Sequence, residues 1–184
     1  ERALRLDPRV RLTVLAPSQF ARRAGFDAYV LDRFAPPTAP AAPVLAIAPP
    51  KVSWLPAPGA ARSDLAAASW KSSEPVFENV SLADVRIDRA QPFVAPAAGV
   101  DVLARTADGA VLAVAGAASP RKVALAFAIQ SSSFASQASF PVFVSNAIAW
   151  LTSEEPPVAK PVGPVNLPME RASVRGLEAG PMDT

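Results

Sequence analysis

Ser131, Ser132 and Ser133 stand together just beyond an apolar run, residues 122–129 (KVALAFAI), that reads as a β-strand. Loops at the carboxyl ends of strands are where α/β folds place their active sites, so a serine here is the first candidate nucleophile. A serine hydroxyl is a weak nucleophile until a neighbouring base takes its proton. The chain has no histidine to act as that base, and no cysteine to replace the serine. What remains is a Ser–Lys arrangement, with Lys51, Lys71 or Lys122 supplying the amine. The competing reading is a serine-rich loop that leads towards a helix and does no chemistry.

Other polar groups point to contact rather than catalysis. Asp32 and Arg33 end a short apolar run, where they could line a crevice or hold the following proline loop through hydrogen bonds. Lys51 and Trp54 lie in a proline-flanked loop, where Trp54 is expected to be exposed as a contact residue. Asp84, Arg86, Asp88 and Arg89 alternate in charge along one strand, as expected for surface cross-strand pairs. Asp64, Glu74, Glu78 and Asp84 match no calcium loop, and the chain has no D-x-S-x-S, G-x-G-x-x-G or P-loop motif. No metal, cofactor or nucleotide site is therefore expected. Arginines are denser between Arg2 and Arg33, but they are not interleaved with aromatics and the net charge is only +2. That describes a solvated face rather than a nucleic-acid surface. Without cysteine, disulfides, zinc knuckles and thiol chemistry are excluded.

The elements that must position these residues follow from hydrophobic patterning. With 51% hydrophobic and 18% charged residues over 184 positions, the chain is ordered and large enough for one real core. Residues 1–6 read as the end of a helix stopped by Asp7-Pro8. Residues 10–16 (VRLTVLA) alternate as a strand, and a short helix around residues 19–23 ends at Gly25. Residues 28–32 (AYVLD) and 44–48 (VLAIA) are short continuous apolar runs, as in parallel strands buried on both faces. Between them, residues 34–43 are too proline-rich for helix or central strand. Residues 49–71 read as an irregular excursion with a short helix near 64–68, and residues 74–79 as one helical turn. Residues 84–89 alternate as a strand. Residues 100–105 and 110–115 form a hairpin about Asp108-Gly109, and residues 138–151 are an apolar helix with Pro141 in its first turn. No apolar run approaches the roughly 20 residues of a spanning helix.

Three segments in order carry a resemblance. They are FDAYVLDRFAPPTAPAAPVLAIAPP (26–50), EPVFENVSLADVRIDRA (74–90) and KVALAFAIQSSSFASQASFPVFVSNAIAWL (122–151). Together they resemble the glutamine-amidotransferase-like region of BatA-type bacterial membrane proteins that also carry a von Willebrand factor A domain. The resemblance covers roughly residues 1–152. It implies a flavodoxin-like, class I glutamine amidotransferase-like three-layer α/β sandwich with an added β-hairpin region. The sheet's first strand would lie upstream of Glu1, in keeping with a chain that opens without methionine and reads as a piece of a longer protein. The domain would occupy residues 1–155, with 156–184 a proline-rich linker or the start of a following segment. It would lie in the extracytoplasmic part of a membrane-anchored parent in the bacterial cell envelope, contacting protein partners such as the upstream von Willebrand domain. Contact with nucleic acid is not implied, and contact with the membrane only through segments outside this chain.

The resemblance also places the lost chemistry. A class I amidotransferase carries its nucleophilic cysteine on a sharp strand-to-helix turn, and the strand that corresponds is residues 44–48. There the chain reads Ala48-Pro49-Pro50, with no nucleophile and, at the prolines, no backbone N–H for an oxyanion hole. The expectation is a non-catalytic interaction or scaffold domain contacting partners through its two proline loops, residues 36–43 and 51–61. The alternatives are a Ser–Lys hydrolase at Ser131–Ser133 and a small-ligand-binding module.

Overall fold

The computed structural model of the chain describes residues 2–5, 7–22, 25–94 and 99–153. The proline-rich segment 156–184 lies outside the described residues.

A six-stranded mixed sheet organises the α/β fold. Its strands are β1 (Tyr29–Asp32), β2 (Val44–Ile47), β4 (Ser69–Trp70), β6 (Asp101–Arg105), β7 (Val111–Gly116) and β8 (Lys122–Leu125). Their spatial order is β1-β2-β8-β7-β6-β4. The first three are parallel, and the sheet turns antiparallel from β8 onward. The β6–β7 pair is the expected hairpin, closed by Gly109 at φ 85° and by Thr106, whose N–H donates to the Ala110 carbonyl. A second, two-stranded ribbon pairs β3 (Arg62–Ala66) with β5 (Arg86–Ala90) and joins the main sheet through isolated bridges from Ile87 to Ser132 and Ala90 to Phe127.

The two faces of the sheet bury different material. Helix α2 (Ser139–Thr152) packs on Leu45, Ile47, Val123 and Leu125, with the one-turn helix α1 (Arg2–Arg5) against it. Phe143, fully buried, stacks on Phe77 at 5.5 Å and tilts against Phe134 at 5.5 Å, so three aromatics anchor this layer. Side chains tie the same helix to the excursion beneath it. Asn146 Nδ2 donates to the Glu78 carbonyl at 2.7 Å and Ser139 Oγ to the Ser81 carbonyl at 3.0 Å. At its far end the Arg121 guanidinium, over the Trp150 ring, donates to the Trp150 carbonyl and to Ser153 Oγ. The opposite face, carrying Leu31, Val44, Ala46 and Ala124, is covered by Phe20, Phe34, Val52 and Trp54. This second layer is a 3₁₀ turn (Pro17–Arg22) and proline-rich loop rather than α-helix, because the prolines of 36–58 deny helix its N–H donors.

Several elements differ from their sequence-based expectation. Residues 10–16 alternate like a strand, yet among the described residues they have no ladder partner; Val10 and Leu12 still pack on the core. Alternation sets which side chains face inward, but a strand also needs a neighbouring backbone. Instead of being buried on both faces, β1 is the sheet edge, with Val30 and Asp32 exposed, whereas all four residues of β2 are buried. The expected helix near 64–68 is instead the end of β3 and the bend that leads into β4. Asp64 takes a positive φ of 53°, and Leu65 lies opposite Ile87. Among the described residues, Asp84, Arg86, Asp88 and Arg89 form no ion pair; Arg62 pairs instead with Asp108 at 2.8 Å. No helix among the described residues is long and apolar enough to cross a membrane.

Candidate functional site at the carboxyl ends of the parallel strands

Strands β1, β2 and β8 finish side by side, and the residues just past their ends form the site. Ladder bonds continue one residue beyond the strands: Arg33 N–H donates to the Ile47 carbonyl at 2.8 Å, and Ala48 N–H to the Leu125 carbonyl at 2.9 Å. Both terminal residues adopt the left-handed region, Arg33 at φ 51° and Ala48 at φ 46°. Neither is glycine. A Cβ there crowds the following carbonyl at a cost of about 1–2 kcal/mol, which the surrounding ladder must sustain. After Ala48 comes Pro49, buried and without an N–H.

The polar groups at this edge come from two strands. Asp32 Oδ1 pairs with Arg33 Nε at 3.4 Å, and Asp32 Oδ2 accepts from Gln130 Nε2 at 3.5 Å. Asp32 therefore does not hold the proline loop, the structural role expected of it. It bridges instead to the loop after β8, across the end of β2. Residue type alone gives no reason to choose Gln130; its place immediately after the strongest apolar run is the signal that could have found it. The carboxylate, guanidinium and amide make a small exposed polar edge able to meet hydrogen-bonding groups of a partner.

The serines are largely committed to the backbone. Ser133 Oγ accepts from Arg86 N–H at 2.9 Å and donates to the Asp84 carbonyl at 3.4 Å. Ser132 Oγ donates to the Ile129 carbonyl at 3.0 Å and accepts from Phe134 N–H at 3.3 Å. These bonds lace the loop to β5 and start the next turn. Among the described residues no lysine is a hydrogen-bond partner of Ser131, Ser132 or Ser133. Lys122 Nζ donates to the Pro120 carbonyl at the start of β8, the end opposite the serines. Lys71 lies near Glu74 and Asp101, at 3.8 and 3.6 Å.

The two proline loops do lie together. Trp54 Nε1 donates to the Pro36 carbonyl at 2.9 Å, and the half-buried indole packs on the face that holds Leu31 and Val44. Trp54 is therefore a clasp between loops rather than a free contact residue, while Lys51 is exposed. The far end of the same loop is pinned as well. Gly59 N–H donates to the Pro92 carbonyl at 2.8 Å, where an added Cβ would approach that oxygen to 2.9 Å. Only glycine permits so close an approach.

Family models, curated proteins and solved structures were all compared with this chain, and none matches it.

Proposed function

We propose that this chain is a non-catalytic interaction domain with a flavodoxin-like, amidotransferase-like fold, serving a bacterial envelope-associated protein. The observation that carries the reading is the backbone at Ala48. In amidotransferase-like and hydrolase-like folds a strained residue on a sharp turn after a parallel strand presents the nucleophile; β2 likewise ends on a strained residue, Ala48 at φ 46°, followed here by a proline-rich loop. Here that turn displays a methyl group and is followed by proline. Strained backbone without the reactive group it would display is what a fold that has lost its chemistry retains.

The contact surface is the pair of clasped proline loops, residues 36–43 and 51–61, together with the exposed Asp32–Arg33–Gln130 edge. Loops held rigidly on a sheet are the usual place for recognition, and the Trp54 clasp provides that rigidity. The partners are proteins: a von Willebrand factor A domain of the same parent, or another envelope protein.

Site-specific photo-crosslinking tests this reading. A photoreactive residue placed at Thr38 or at Lys51 is expected to capture the same protein, whereas one at Ser72, in the loop after β4, captures none. No common adduct would count against the proposal. So would covalent labelling of Ser131 by a fluorophosphonate, which reports an activated serine.

A further inference from the structure

Of the chain's eight glycines, Gly109 alone follows a residue with a side-chain carboxyl or amide, Asp108. That pair has a chemistry of its own. The backbone nitrogen one residue after an aspartate can attack its Cγ, and glycine, without a Cβ, leaves the approach open. At every other aspartate the next residue carries a side chain that crowds the attack. The hairpin tip is accessible as well. The Asp108 side chain is 58% exposed, and an added Cβ at Gly109 would meet nothing within 4 Å.

Specific contacts hold the reacting groups apart. Gly109 N–H donates to the Thr106 carbonyl at 3.0 Å, which commits the attacking nitrogen to the turn. The carboxylate has two partners: Thr106 Oγ1 donates to Asp108 Oδ1, and Arg62 Nη2 pairs with Asp108 Oδ2 at 2.8 Å. The Thr106 hydroxyl, and after it the Arg62 guanidinium, hold this carboxyl below its usual range. An ionised carboxylate is a poor electrophile, because its oxygen leaves as water only once protonated. The Thr106 contacts are local to the turn, whereas Arg62 belongs to β3 of the two-stranded ribbon. Protection of the tip therefore depends on where the ribbon sits.

We propose that Asp108 is a latent site of isoaspartate formation, kept closed by Arg62 while the β3–β5 ribbon is seated against the hairpin. When the ion pair opens, the Gly109 nitrogen bonds to Asp108 Cγ. The nitrogen's proton and the carboxyl OH leave together as water, giving a five-membered succinimide. Water then adds at the former backbone carbonyl of Asp108, and the bond from that carbon to the Gly109 nitrogen breaks. The nitrogen regains a proton, the α-carboxylate is released, and the chain now runs through the side-chain carbon. Composition is unchanged, so the step needs neither oxidant nor reductant. The tip gains one backbone atom, which disturbs the closing bond from Thr106 N–H to the Ala110 carbonyl.

Ageing the 184-residue chain in neutral buffer tests the proposal. Isoaspartate is read in the tryptic peptide Thr106–Arg121, separated by chromatography from its unmodified form. The folded chain is expected to isomerise at least about tenfold more slowly than the free peptide of the same sequence. Arg62→Gln is expected to speed the folded chain by about two- to fivefold, the extra opening that loss of an exposed ion pair permits. Its urea midpoint is expected to stay unchanged. Arg86→Gln, on the neighbouring strand β5, is expected to leave the rate as it is. Equal rates in folded chain and free peptide, or in the parent chain and Arg62→Gln, overturn the proposal. Acceleration accompanied by a lowered urea midpoint, or produced equally by Arg86→Gln, overturns the role of Arg62 in favour of general loosening.

Discussion

The indole N–H of Trp54 donates to the carbonyl of Pro36, 18 positions earlier in the chain, and so joins two proline-rich loops across one face of the sheet. Neither loop has regular structure to hold its shape. Trp54→Phe keeps most of the apolar contact and deletes the bond. It is expected to cost about 1 kcal/mol in urea unfolding and to increase proteolytic nicking between residues 36 and 56.

Ala48 offers the opposite sign. At φ 46° its Cβ is strained, so Ala48→Gly is expected to leave stability unchanged or raise it by up to about 1 kcal/mol. Ala48→Val, β-branched at a positive φ, is expected to destabilise by more than that. Thermal unfolding of the pair reads both. Destabilisation by glycine would show that the backbone is not held in the left-handed region.

The serine loop separates structure from chemistry. Ser133→Ala leaves the Arg86 N–H without its side-chain acceptor, with an expected loss of about 1–2 kcal/mol in denaturant unfolding. Ser131→Ala is expected to fall within about 0.5 kcal/mol of the parent chain. A Ser–Lys enzyme would instead lose its turnover with Ser131→Ala while staying folded.

In the core, Phe143 is fully buried between Phe77 and Phe134. Phe143→Ala removes a ring from a close-packed cluster and is expected to cost about 3–5 kcal/mol, read from the denaturant midpoint.

The Asp7 carboxyl is held well below the usual carboxylate range, first by the Arg9 side-chain N–H and then by the Arg9 backbone N–H. A depressed folded-state pKa means stabilisation that is complete above the unfolded value, near about 3.9, and is lost as pH falls towards the folded one. The melting temperature of the chain should therefore exceed that of Asp7→Asn at about pH 7. The difference should shrink below about pH 4, as followed by circular dichroism.

Much of this was legible because local chemistry and tertiary demand agree. The run VLAI can only be buried on both faces, and it became the fully buried β2. Asp108-Gly109 turns the β6–β7 hairpin because glycine accepts φ 85° there. Pro141 enters α2 in its first turn, where its missing N–H is not needed. At the site, Ala48-Pro49 already excluded a nucleophile and an N–H before any geometry was known. Other features depended on neighbours that lie far away in the chain. Residues 10–16 carry a strand's alternation, but among the described residues no strand pairs with them. Leu65 sits in a strand because Ile87, 22 positions on, lies opposite it. The left-handed backbone at Arg33 and Ala48, the Gln130–Asp32 contact and the Trp54–Pro36 clasp are all set by how parallel strands end beside one another. Residue type determined that the turn after β2 carries a methyl group followed by proline; pairing between distant backbones decided where that strained turn and the clasp came to lie.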